Sequence, residues 1–193
     1  AEEYTNRLIN ALKLLKVCEP HEKECDMGPL VSEQAACEVE NKVNQTIKQG
    51  ARCVFGGKRY NKTYFEPTVL KDVTADMDIA KDMEIFGPVV PIIEFEENDE
   101  AIKIANQTKY GLSGGVIGRD IKAALSTALK LESGTTVVNG CGDYRTLYTP
   151  FGGHKMSGIG TEGLMLTLEE MMLTKCVALK GIVEESVSES VLR

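Results

Sequence analysis

Apolar residues recur along this chain first at helical spacing and then in short strand-like runs. Leu8, Leu12 and Leu15, with Ile9 alongside, predict a helix within residues 2–16. Pro20 and the acids around it end that helix in a loop. Ser32 is placed to cap a second helix, whose stripe of Val39, Val43 and Ile47 follows i, i+4 spacing until Gly50 stops it. Residues 52–55, closed by Gly56-Gly57, read as a strand, and residues 64–70 as a second extended segment. Pro67 argues for an edge or an irregular path there. Residues 89–95 form a continuous apolar run of the kind buried on both faces.

The alternation then continues. Asn98 or Asp99 caps a helix through Ala105, and residues 113–118 read as a strand. Asp120 opens a helix with Ala124, Leu125, Ala128 and Leu131 inward, and Gly134 releases the chain into the strand 135–138. A short helix at residues 164–172 and a strand at 175–179 close the pattern. Helices alternating with apolar strands predict an α/β fold, a mostly parallel sheet flanked by helices, over residues 1–180. Residues 181–193 alternate Val183, Val187 and Val191 with acids and serines, which reads as a tail or an arm that pairs with a partner chain.

Composition narrows the function classes. With 42% hydrophobic and 26% charged residues, a chain of 193 has the make-up of a folded domain with a substantial core. A net charge of −7 gives no electrostatic reason to bind nucleic acid or anionic lipid. No apolar stretch approaches the roughly 18 residues that span a bilayer, and no signal peptide is visible, so a cytoplasmic location is expected. Six cysteines at irregular spacings then read as reduced thiols. Cys18, His21 and Cys25 offer three soft ligands, one short of a closed zinc site, so no metal is expected. Asn44, Asn61 and Asn106 begin glycosylation patterns that require a secretory route.

Two stretches carry chemistry. Pro150-Phe151-Gly152-Gly153-His154-Lys155-Met156-Ser157-Gly158 is a loop that must turn sharply and pack closely, and it follows a strand, where α/β folds place ligand sites. Glu84-Ile85-Phe86-Gly87-Pro88 sets an acid and an aromatic just before the apolar run at 89–93. Asp26-Met27-Gly28-Pro29-Leu30, Phe65-Glu66-Pro67-Thr68-Val69-Leu70 and Tyr110-Gly111-Leu112-Ser113 accompany them in order. Together these segments resemble the C-terminal part of the catalytic domain of the aldehyde dehydrogenase superfamily, over nearly the whole chain.

The resemblance implies a catalytic-domain-like fold truncated at its N-terminus. The family's nucleophilic cysteine, general-base glutamate and dinucleotide-binding domain would precede Ala1, leaving no catalytic residue in this chain. It implies oxidation of an aldehyde to a carboxylic acid through a cysteine thioester, with hydride passing to NAD or NADP held by the missing domain. The isolated chain is then expected to be inactive and the protein to assemble as a homo-oligomer. Glu84 matches the glutamate that binds the nicotinamide ribose hydroxyls, and Phe86 the aromatic near the nicotinamide ring. Taken alone, Glu84 reads as a solvated loop acid.

Phe151 matches the aromatic lining the substrate channel, and it also reads as a core anchor for its loop. Arg145 sits in the loop that shapes the channel, where a guanidinium suits an aldehyde bearing a carboxylate or phosphate. An ion pair with Asp143 or a nearby acid is the competing account of Arg145. His154 reads as packing or surface, Lys155 as a support for loop carbonyls, and Cys141 as an inert thiol. Thr161 stands where many relatives carry an arginine. A different class of reading is a non-catalytic binding or assembly module, whose cut sheet would leave apolar surface and a strand edge uncovered.

Overall fold

Ser32 begins the element on which the core is built. Its hydroxyl accepts the Ala35 N–H at 3.1 Å, capping helix α2 (Glu33–Lys48), and Glu33 and Lys48 complement the helix dipole at the two ends. The computed structural model describes residues 1–181, and the tail expected at residues 181–193 lies outside them except for Gly181. These residues fall into two compact units, the first formed by Ala1–Tyr144 with Gly152–Gly160.

In the first unit, α1 (Glu2–Leu12) and α2 precede β1 (Arg52–Phe55), β2 (Arg59–Tyr60), β3 (Tyr64–Phe65) and β4 (Thr68–Val73). A single 3-10 turn at Asp78–Ala80 leads to β5 (Val89–Ile93) and α3 (Asn98–Asn106). Strands β1, β4 and β5 form a three-stranded sheet in the order β1-β4-β5, with β1 antiparallel and β5 parallel to β4. The core lies between α2 and this sheet: Val39, Val43, Ala51, Phe65, Leu70, Val73 and Met77, with Leu30, Ile85, Val89 and Ile93 packed around them. Burying such side chains contributes about 1.5–3 kcal/mol each.

Two sequence expectations change here. Of the edge or irregular path that Pro67 suggests, the path is the irregular one: Pro67 falls between β3 and β4 and leaves β4 a central strand with Val69 and Leu70 fully buried. Strand β5 is the edge instead, and only Ile92 of it is buried. Along α2, Thr46 takes the inward position beside Val43 and returns its hydroxyl to the Lys42 carbonyl at 2.9 Å, while Ile47 turns outward.

The same unit continues with β6 (Tyr110–Gly111), β7 (Ser113–Val116), α4 (Ile121–Ala128) and β8 (Thr135–Val138). Strands β7 and β8 are parallel and α4 links them, a β-α-β unit. Asp120 caps α4 by accepting the Lys122 and Ala123 N–H groups at 2.9 and 3.2 Å. Ala124 and Ala128 face inward as expected, but Leu125 is about half exposed together with Ile121 and Leu129. After β9 (Phe151–Gly152), whose first residue belongs to the second unit, β10 (His154–Lys155) pairs antiparallel with β6.

The second unit comprises Arg145–Phe151 and the chain from Thr161 onward. There β11 (Thr161–Glu162) pairs with β9, and α5 (Leu164–Met171) follows. The strand expected at residues 175–179 is absent: these residues carry no regular structure. The sheet system as a whole is mixed, five small sheets among the described residues with antiparallel as well as parallel pairs, where a mostly parallel sheet was expected.

Candidate functional site

The loop from Met83 to Pro88 is pinned from below and left open above. Helix α2 supplies Lys42, whose Nζ donates to the Glu84 carbonyl at 2.6 Å. Gly87 lies directly on the same helix, where even a Cβ would come within 2.7 Å of Val39 Cγ2. Pro88 then accepts the Thr68 N–H at 2.8 Å, tying the loop to the central strand. Between these ties Ile85 packs against the core while Phe86 projects outward. Phe86 has φ +54° and is 81% exposed. A bulky residue in the left-handed region costs of order 1–3 kcal/mol and persists where its surroundings impose it.

The Glu84 carboxylate is exposed and makes no hydrogen bond or ion pair among the described residues. It borders two clefts. One, of about 470 Å³, runs along Ile79, Met83, Ile85, Phe86 and Pro91. The other, of about 520 Å³, is rimmed by Lys81, Asn106, Tyr110, Ser113, Ser133 and Ser157. An unpartnered carboxylate beside a projecting aromatic fits a sugar diol bearing a flat ring: the carboxylate accepts two hydroxyls and the ring offers its face. Glu84 and Phe86, singled out from the sequence, are thus brought together.

The glycine loop closes on the first unit through Lys155. Its Nζ donates to the Asn106 and Thr108 carbonyls at 2.7 and 3.0 Å and pairs with Glu132 at 2.7 Å. Ser157 Oγ accepts the Gly111 N–H at 2.9 Å. A lysine so engaged supports the backbone and has no free lone pair for nucleophilic work. His154 is exposed on β10. Cys141 donates to Asp143, and that hydrogen bond holds its thiol above the ordinary cysteine range, the reverse of an activated nucleophile.

Arg145 and Phe151 come together in the second unit. The guanidinium carbon stands 3.8 Å from the Phe151 ring centroid, a cation–π stack, and a guanidinium nitrogen lies 3.5 Å from Glu162. The acid opposite Arg145 is therefore Glu162, seventeen positions along the chain, where the sequence suggested Asp143 or a nearby acid. Arg145, Glu162, Leu164 and Leu168 line a cleft of about 530 Å³. The pair Glu84 and Phe86 belongs to one unit and the pair Arg145 and Phe151 to the other.

Lys42 was not visible as part of the site from sequence. It lies 42 positions from Glu84, and a lysine on a polar helix face looks like any solvated lysine.

Known proteins give this arrangement its context. The family model described as "Aldehyde dehydrogenase family" matches residues 1–177. Lactaldehyde dehydrogenase of Methanococcus maripaludis (strain C7) is 38% identical over 181 residues, 94% of this chain and 38% of that protein. The 3-sulfolactaldehyde dehydrogenase of Priestia aryabhattai is 35% identical over 176 residues, 91% of this chain and 36% of that one. Among solved structures, aldehyde dehydrogenase 21 of Physcomitrella patens in complex with the reaction product succinate superposes with a TM-score of 0.87 at 32% identity, covering 94% of this chain and 37% of that chain. Glyceraldehyde-3-phosphate dehydrogenase GapN of Methanocaldococcus jannaschii, complexed with NADP, gives 0.83 at 40% identity, covering 89% and 37%. The chain thus spans a little over a third of the length of these relatives.

Proposed function

The chain belongs to the aldehyde dehydrogenase family, and from that membership we propose that its residues serve as the C-terminal part of an NAD(P)-dependent enzyme that oxidises an aldehyde to a carboxylic acid. The observation that carries this reading is the loop at residues 84–88, where a strained, exposed Phe86 stands beside a free carboxylate. A bound nicotinamide would supply the hydride acceptor at this site. Glu84 would accept the hydroxyls of its ribose and Phe86 would brace its ring, with the Lys42–Glu84 bond and the Gly87–Val39 packing holding both in place. The catalytic nucleophile and the dinucleotide-binding domain lie outside these residues in this reading, so the 193 residues by themselves are inactive.

Replacing Phe86 by glycine tests the loop. The substitution removes the unfavourable φ and little buried surface, so stability should stay within about 1 kcal/mol of the parent. In a protein carrying the dinucleotide-binding domain together with these residues, NAD(P) binding should weaken about tenfold by isothermal titration. Unchanged cofactor affinity would remove Phe86 from the cofactor site.

For substrate, Phe151 lines the aldehyde's path and Arg145, already stacked on it, receives an anionic group on the aldehyde. Relatives named for 3-sulfolactaldehyde and glyceraldehyde 3-phosphate, and one holding succinate, support an anionic substrate class. Glu162 then acts as the resident counter-ion that an incoming carboxylate, sulfonate or phosphate displaces. In the complete enzyme, Arg145→Leu should raise KM for anionic aldehydes at least tenfold and leave neutral aldehydes nearly unchanged. An equal loss for both would reduce Arg145 to a structural partner of Phe151. A second reading, an assembly module acting through its surface, draws support from the exposed stripe of Ile117, Ile121, Leu125 and Leu129.

A further inference from the structure

The loop between α1 and α2 holds the one feature that contradicts the reduced state expected of the cysteines. Cys18 and Cys25 are paired as a disulfide, their Cα atoms 5.6 Å apart. The bridge closes a strongly polar loop of Glu19, Pro20, His21, Glu22, Lys23 and Glu24, all exposed. On one side of it a short ladder joins the two flanks: Cys18 N–H donates to the Met27 carbonyl at 3.1 Å, and Asp26 and Met27 N–H donate to the Lys16 carbonyl at 3.0 and 3.2 Å. The disulfide is therefore half-buried behind a loop that solvent reaches freely.

Two connections run from this loop into the body of the unit. Glu19, next to Cys18, accepts the hydroxyl of buried Tyr64 at 2.6 Å, and that bond pushes the phenol up to about 12. Pro20 lies over Gly28, where an added methyl would come within 3.1 Å of its ring. Beyond the bridge, Leu30 N–H donates to the Thr63 carbonyl at 2.8 Å, and residues 26–30 wall a cleft of about 410 Å³ whose opposite side is Phe65, Gly87 and Pro88. Two ordered attachments thus flank a loop whose residues between the cysteines are all exposed and which is crossed by one covalent tie.

We propose that Cys18 and Cys25 form a reversible redox clamp: closed, it holds Glu19 on Tyr64 and keeps residues 26–30 in place along the cleft opposite Gly87-Pro88; opened, it releases both. The opening reagent is a dithiol. One of its thiolates attacks a sulfur of the bridge, the S–S bond breaks and a mixed disulfide forms. The second thiol of the reagent then displaces the protein sulfur, closing the reagent into its own disulfide. Two electrons and two protons have passed to Cys18 and Cys25. Oxidised glutathione reverses the change by the same exchange and leaves as two molecules of glutathione.

The test uses the full chain, with dithiothreitol and oxidised glutathione as the probes, and needs neither cofactor nor aldehyde. In oxidised glutathione, N-ethylmaleimide should leave Cys18 and Cys25 unlabelled and joined in one cross-linked peptide. In dithiothreitol both should label, and a return to oxidised glutathione should restore the cross-link. Amide exchange at Cys18, Asp26, Met27 and Leu30 should accelerate about tenfold on reduction, while Val69 and Leu70 in the central strand keep their protection. The double variant Cys18→Ser, Cys25→Ser should show the fast rates in both buffers. Labelling of both thiols in oxidised glutathione would overturn the proposal, and so would equal exchange rates in the two states. Loss of protection at Val69 and Leu70 on reduction would also overturn it, since the bridge would then be a staple for the whole unit.

Discussion

Phe65→Ala is expected to destabilise the first unit by about 3–5 kcal/mol, measured as the shift of a urea unfolding curve. Phe65 is 2% exposed and sits on a two-residue strand paired only with the equally short β2, so side-chain packing does most to hold it in place. It fills the space between Val39 and Val43 of α2 and Leu70 of the central strand. Deleting its ring removes the transfer free energy of a large aromatic and leaves a cavity that two rigid elements cannot collapse into. Phe95, 55% exposed, provides the contrast: Phe95→Ala should cost less than about 1 kcal/mol. Equal losses at the two positions would mean that the core does not lie between α2 and the sheet.

Gly134→Ala is expected to cost about 3 kcal/mol or more, and to do so locally. A Cβ at this position would overlap the carbonyl of Gly152, which is backbone and cannot swing aside like a side-chain tip. Gly134 also donates its N–H to the Gly111 carbonyl at 3.0 Å, and Gly111 in turn is held by Ser157. The substitution should therefore unlock the glycine loop, visible as faster amide exchange at Gly111 and Met156 as well as a lower melting temperature. Gly160 is the control, because nothing lies within 4 Å of an added Cβ there. Gly160→Ala should be neutral or stabilising by up to about 1 kcal/mol, through the unfolded chain. A Gly134→Ala protein as stable as its parent would show that β8 and the glycine loop do not approach.

The helices were largely legible because their signals are local. Ser32 and Asp120 cap the helices they were expected to cap, since a hydroxyl or carboxylate three residues from a free N–H needs no distant partner. Strand signals fared unevenly for the opposite reason. Residues 175–179 have strand composition but take no regular structure, because a strand exists only where a second segment satisfies its N–H and C=O groups. Leu125 has the apolarity of an inward residue, yet the small Ala124 and Ala128 make the close approach of α4 to its neighbours. Which apolar side chain faces inward depends on what stands opposite, and hydrophobicity alone does not encode that.

The candidate site divides the same way. Motif order identified the family and put Glu84, Phe86, Arg145 and Phe151 forward, because residue type at fixed spacing is a one-dimensional property. The sequence by itself determined the caps of α2 and α4 but not that of α3, where Asn98 and Asp99 lie inside the helix, and it determined the segments that can be buried and the family to which the chain belongs. Only the tertiary structure decided that Lys42 holds Glu84, that Phe86 is driven to positive φ, that Arg145 meets Glu162, and that Cys18 and Cys25 join. All but the last are meetings of groups well apart along the chain, or a strain imposed by such meetings, and the cysteines, seven positions apart, meet only because the loop between them turns back. The backbone path that brings them together is fixed by the burial of the core and not by the residues that meet.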